Sequence, residues 1–209
     1  MPTVEEAQSW YATDDPVHGF DHVLRVMRTT EEIGTELGAD LEILRAAALL
    51  HDAAGADPRE NRAEHENASA EFAQAVLRDE GWTDDRIREV VHCIMSHRYR
   101  GKHEPESLEA QILFDADKLD VIGAFGAART LGYAMQAGQP MFAEPSEQFL
   151  EHGETVPGEP HSAYHEYLFK LRKVKDRLHT EPARRRAAKR ERVLVSFFEQ
   201  LAAEARGEG

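Results

Sequence analysis

Apolar residues recur three and four positions apart along almost the whole of this chain, and nowhere do β-branched and polar residues alternate for long. That period belongs to helices that bury one face, so the expected fold is all-α. Over 18–37, Val23, Val26, Met27, Ile33 and Leu37 trace one stripe, and Gly38 provides a stop. The next segment, 41–52, carries EILRAAALLHD, apolar nearly all round, and is expected to be a buried central helix. A helix over 63–80 follows. Another starts at Thr83, with Asp84 and Asp85 at the positive end of its dipole. The Ala- and Gly-rich apolar stretch 108–135 predicts a long helix broken near Gly123 or Gly126. Seven breakers between Gly138 and Pro160 make 137–160 a loop or lid. Helices over 162–178 and 183–206 should close the chain, the last packing through Val193, Leu194, Phe197, Phe198 and Leu201. The expected organisation is a helical core over 1–136, the 137–160 loop, and C-terminal helices over 161–209 that pack on the same domain.

Cysteine usage narrows the chemistry. The single Cys93 excludes an internal disulfide framework and any multi-cysteine zinc site, which leaves histidine and carboxylate as metal ligands and a reducing cytoplasm as the expected setting. The acidic N-terminus does not resemble a signal peptide, and no apolar run approaches the roughly 18 residues of a membrane span. The net charge of −14 argues against electrostatic capture of nucleic acid. The charge is uneven: residues 170–192 hold 11 of the 25 Lys and Arg residues and three acids, a pattern that suits a solvated helix face or pairing with the acidic surface of another subunit in a homo-oligomer. Nineteen Arg against six Lys on so acidic a chain suits either a high-salt cytoplasm or a GC-rich genome.

Eleven histidines raise the question of a metal. His18 and His22 lie four apart, on one face of the first helix. His51-Asp52 ends a run too apolar to tolerate charge without a partner. A bound cation would offset the desolvation of both groups; the alternative is a helix-end Asp facing solvent beside a packed His. In DADKLD, Asp115, Asp117 and Asp120 sit among Ile112, Leu113, Phe114, Leu119, Val121 and Ile122, so at least one carboxylate should face inward. Periodicity does not choose between Asp115 and Asp117. His97 returns to within about 20° of the Val90 stripe and should point inward, whereas His92 should not.

The order of His22, His51-Asp52 and a late Asp, carried by HGFDHVLRV, AALLHDAAG and DADKLDVIGAFGAAR, resembles the HD-domain superfamily of metal-dependent phosphohydrolases, and in particular its small stand-alone members, over roughly 15–135. The resemblance implies an HD-domain helical bundle with additional C-terminal helices. It implies that His22, His51, Asp52 and Asp117 hold one divalent cation, Asp117 being preferred because Ala116-Asp117-Lys118-Leu119 reproduces the family context. Imidazole with carboxylate suits Mn, Fe, Co, Ni or Zn better than Mg. His65 and His97 resemble positions where two-metal members place extra ligands; a phosphate contact, a general acid and a satisfied core histidine are the competing roles.

The implied activity is hydrolysis of a phosphoester or pyrophosphate bond in a small phosphorylated metabolite, a nucleotide or nucleoside triphosphate before others. Asp52, His65 and His97 are the candidate catalytic groups. Arg25, Arg98 and Lys118 are the candidate phosphate contacts, with Arg100 and Lys102 as weaker ones. One departure stands out: nucleotide-hydrolysing relatives carry acids just after His-Asp, whereas this chain has Ala53-Ala54-Gly55-Ala56, and only Asp57 could substitute. A sensor that binds a nucleotide or metal without turning it over is therefore the alternative. HRYRGKHEP lacks the Gly-Tyr-Pro element of the cyclic-dinucleotide branch, so that substrate is not expected.

Overall fold

The structure is a computed structural model that describes residues 1–11, 19–53, 65–98, 101 and 103–208. Among the described residues there are ten α-helices and no strand. They fall into two compact units, one of Met1–Lys118 with His179–Ala183 and the other of Leu119–Leu178 with Arg184–Gly209.

In the first unit, α1 (Val4–Gln8) opens with a capping box between Thr3 and Glu6. Helix α2 (Phe20–Leu37) turns its Val23, Val26 and Ile33 face inward and stops at Gly38 in the left-handed conformation. Helix α3 (Leu41–Leu50) begins where the Asp40 carboxylate accepts from the Glu42 and Ile43 amides, and Arg86 clamps that same carboxylate. As its sequence predicts, α3 is the buried centre: Ile43, Leu44 and every residue from Ala46 to Leu50 are enclosed. Helices α2, α4 (His65–Asp79), α5 (Asp84–Ser96) and α1 all pack against it. Thr83 does precede α5, but its side chain makes no capping hydrogen bond; Asp84 and Asp85 complement the exposed amides instead. Helix α6 (Leu108–Asp120) adds Leu113 and Ala116 to the same core.

In the second unit, α7 (Gly123–Gln136) begins after the break expected near Gly123 or Gly126. Both glycines matter there. Gly123 has φ +80, and a Cβ on Gly126 would collide with the backbone carbonyl of Val121, which cannot give way as a side chain could. Gly126→Ala should therefore cost about 2 kcal/mol or more, read as a lowered urea midpoint. An unchanged midpoint would mean that the 121–126 turn relaxes freely.

The 137–160 segment is not devoid of helix. Helix α8 (Glu147–His152) forms inside it, capped by Ser146 and ended by Gly153. The expected helix over 162–178 is instead α9 (Ala163–Phe169) followed by a 3₁₀ helix (Leu171–Arg177), because Lys170 leaves helical geometry and the buried Leu171 and Val174 are spaced three apart. Helix α10 (Glu181–Arg206) buries Leu194 and Phe198 and half-buries Leu201, whereas Val193 and Phe197 remain 50% and 38% exposed, so the expected packing role holds in full for two of those five residues. No helix among the described residues is long and apolar enough to cross a membrane.

Glu159 organises the loop before α9. It accepts hydrogen bonds from the Ser146 amide and hydroxyl, from the Val156 amide, and from His165 Nε2 at 3.0 Å; His165 is fully buried and receives the Ser162 hydroxyl on Nδ1. The His165 ring, and next the Ser146 amide, pull the Glu159 carboxyl from its ordinary 4.5 down to about 2. A depressed carboxyl stabilises the fold above its unfolded value and loses that contribution as pH falls through its folded value. The Ser146 and Val156 amides should thus keep their hydrogen-exchange protection above pH 4.5 and lose it between 4.5 and about 2. Protection independent of pH across that window would contradict the assignment.

Candidate metal centre

Three helix termini and one helix interior converge in the first unit. His22 lies in the first turn of α2 and His51-Asp52 directly follows α3; Asp117 sits near the end of α6, and His97 caps α5. Ligand atoms of His22, His51 and Asp52 lie within 4.8 Å of one another. Around that trio, His22 Nε2 is 3.4 Å from Asp117 Oδ1, His51 Nε2 is 3.6 Å from Asp52 Oδ2, and His97 Nε2 is 3.5 Å from Asp52 Oδ1. The His51 ring stands edge-on to His22 and His97, with centroids 5.6 and 5.3 Å away.

The local fold decides which nitrogen each ring presents. The terminal carbonyls of a helix have no partner within it. Ala48 O takes the His51 Nδ1–H at 2.8 Å, and Ile94 O takes the His97 Nδ1–H at 2.5 Å. Both rings therefore offer Nε2 as a lone pair, the tautomer that a metal-ligating histidine adopts when a backbone carbonyl holds its other nitrogen. Burial, and then the neighbouring His97, outweigh the attraction of Asp52 and bring the His51 pKa down to about 4, so this ring is neutral near pH 7. His51 Nε2 is buried and has no hydrogen-bond partner among the described residues. A buried lone pair with no donor is costly, and a cation would satisfy it. The residues present fit a divalent ion.

The structure separates the two aspartates that periodicity could not. Asp115 is fully buried and accepts from the His179 amide, the Thr180 amide and the Thr180 hydroxyl at 2.7–2.8 Å, so it anchors the start of α10. Asp117 faces His22. Burial acts to raise the Asp117 carboxyl, but the Lys118 ammonium and then His22 outweigh it and hold the group well below the usual carboxylate range. In the second unit, Asp120 accepts from Arg129 Nη1 at 2.8 Å.

The candidate phosphate contacts already meet carboxylates. Lys118 Nζ bonds Asp117 Oδ2, Arg98 Nη1 reaches both oxygens of Glu66 at 2.8 and 3.0 Å, and Arg25 pairs with Asp21 one turn earlier in α2. Helix α4 starts at His65, but the side chain of His65 lies outside the described residues, as do His18, Asp57, Arg100 and Lys102. His92 accepts from the Glu106 amide and takes no part in the cluster.

Two groups at this centre escaped sequence reasoning. Glu66 carries no motif, and its pairing with Arg98 spans 32 residues. Tyr11 is 5% exposed and donates its hydroxyl to Leu49 O at 2.8 Å. It lies in a bend just past the end of α1, where no spacing signal marks it.

Comparison with known proteins places this chain in a family. The HD domain matches residues 19–122. The chain is 32% identical to the uncharacterised protein YpgQ of Bacillus subtilis, over 96% of this chain and 93% of that one. It is similar to the crystal structure of Bacillus subtilis YpgQ in complex with ADP, with a TM-score of 0.75 and 25% identity over 99% of this chain and 100% of that one. It is also similar to a predicted HD superfamily hydrolase from an uncultured Thermotogales bacterium, with a TM-score of 0.60 and 30% identity over 96% and 88% of the two chains.

Proposed function

This chain belongs to the HD-domain superfamily, and from that premise we propose that it is a divalent-metal-dependent phosphohydrolase acting on a nucleotide or nucleoside triphosphate. The observation that carries the reading is the His22, His51 and Asp52 cluster, in which the buried Nε2 of His51 has no hydrogen-bond partner among the described residues. His22, His51, Asp52 and Asp117 would hold the ion. When bound, a divalent cation there supplies Lewis acidity toward a phosphoryl oxygen and toward water.

The protein's own groups account for the remaining needs. Asp52 is a fifth exposed at its side chain, so one oxygen can serve the ion while the other accepts a proton from an approaching water. His97 Nε2, 3.5 Å from Asp52, can pass that proton to the leaving oxygen. Lys118 balances Asp117, which keeps the ligand carboxylate ionised and places positive charge beside the ion for a substrate phosphate. The ADP bound by YpgQ supports a nucleotide as substrate.

The test is an activity screen of the purified chain with Mn or Co against nucleoside tri-, di- and monophosphates and phosphosugars, with products followed by ³¹P NMR. Metal-dependent release of phosphate or pyrophosphate from a nucleotide, abolished by EDTA, is the expected result. Tight nucleotide binding with no product over hours would replace the hydrolase by the sensor.

A further inference from the structure

Tyr11 belongs to the N-terminal segment that precedes the HD match over 19–122. It nevertheless touches both helix ends that carry the His22 and His51-Asp52 groups. Its ring lies 5.4 Å from Phe20, two residues before His22 at the start of α2. Its hydroxyl donates to Leu49 O, two residues before His51 at the end of α3. The last carbonyls of α3 are thereby shared among three donors: the His51 ring on Ala48, the Tyr11 hydroxyl on Leu49 and the Ala53 amide on Leu50. Had Leu49 O no donor, a buried acceptor would sit beside the pair that must be held most exactly in place.

We propose that Tyr11 is a positioning residue for the metal centre: its ring sets the start of α2 and its hydroxyl sets the end of α3, which fixes His22 relative to His51-Asp52. This rests on the metal reading given above. An ordinary core tyrosine would contribute packing alone, and the hydroxyl would be dispensable for metal binding.

The experiment is a Co(II) titration of the full chain, wild type beside Tyr11→Phe and Trp10→Leu, with affinity and the visible ligand-field spectrum read together and folding followed by circular dichroism. Trp10, next to Tyr11 in the N-terminal segment, packs on Phe72 of α4 with centroids 5.3 Å apart and controls for loss of N-terminal packing. The expected result is a folded Tyr11→Phe that binds Co(II) about tenfold more weakly with an altered spectrum, while Trp10→Leu melts lower yet binds as wild type. Equal affinity and spectrum in Tyr11→Phe would overturn the role of Tyr11 alone, as would an equal loss in Trp10→Leu. A wild type that binds no Co(II) would overturn the metal reading and this inference with it. Should Tyr11→Phe not fold, Phe20→Leu takes its place: it loosens the phenol while keeping the donor. A smaller loss in the same direction is then expected, and unchanged binding would overturn the proposal.

Discussion

Asp52→Ala should abolish stoichiometric metal binding and lower metal-dependent nucleotide hydrolysis by at least about 10³-fold, while leaving the chain folded. The first half follows from position. Asp52 lies between His51 and His97, at 3.6 and 3.5 Å. The second half follows from burial: the side chain is 21% exposed and fills little of the core, so truncation removes charge without leaving a large cavity. Metal content by mass spectrometry and turnover on one sample check both halves. Retained metal with lost turnover would make Asp52 a proton acceptor only, and retained turnover would remove it from the site.

Asp115→Ala should do the opposite, destabilising the fold by about 4 kcal/mol because three donors, the buried Thr180 amide and hydroxyl and the part-buried His179 amide, lose their acceptor at once. Asp115→Asn keeps one acceptor oxygen and should lose roughly half as much. At temperatures where these variants remain folded, their metal content should match wild type, whereas Asp117→Ala should lose metal with a smaller change in stability. Urea denaturation and metal analysis on the three variants separate the roles. Loss of metal from folded Asp115→Asn would show that this carboxylate also serves the centre.

The contrast between these aspartates marks where the sequence is legible and where it is not. The 3.6-residue period locates the helices because burial of one face is written in local spacing, and the 41–50 stretch, apolar but for Glu42 and Arg45, marks α3 as central for the same reason. His51-Asp52 stands out because charge at the end of such a helix needs a partner. Spacing cannot choose between Asp115 and Asp117, since the choice depends on what each faces, and the partners of Asp115 lie 64 and 65 residues away. Tyr11 and Glu66 are hidden for the same reason: their partners are a carbonyl 38 residues distant and an arginine 32 residues distant. The 3₁₀ turn at Leu171–Arg177 is less visible still, because a three-residue apolar spacing fits both helix types until the backbone at Lys170 departs from α geometry.

The central claim, that these residues bind one divalent ion for hydrolysis, is tested most directly by crystals of the chain grown with Mn and a non-hydrolysable nucleotide, recorded at the Mn absorption edge. The account predicts an anomalous peak ringed by His22, His51, Asp52 and Asp117, with a phosphate oxygen of the nucleotide against it. A peak elsewhere, or none beside a bound nucleotide, would contradict it.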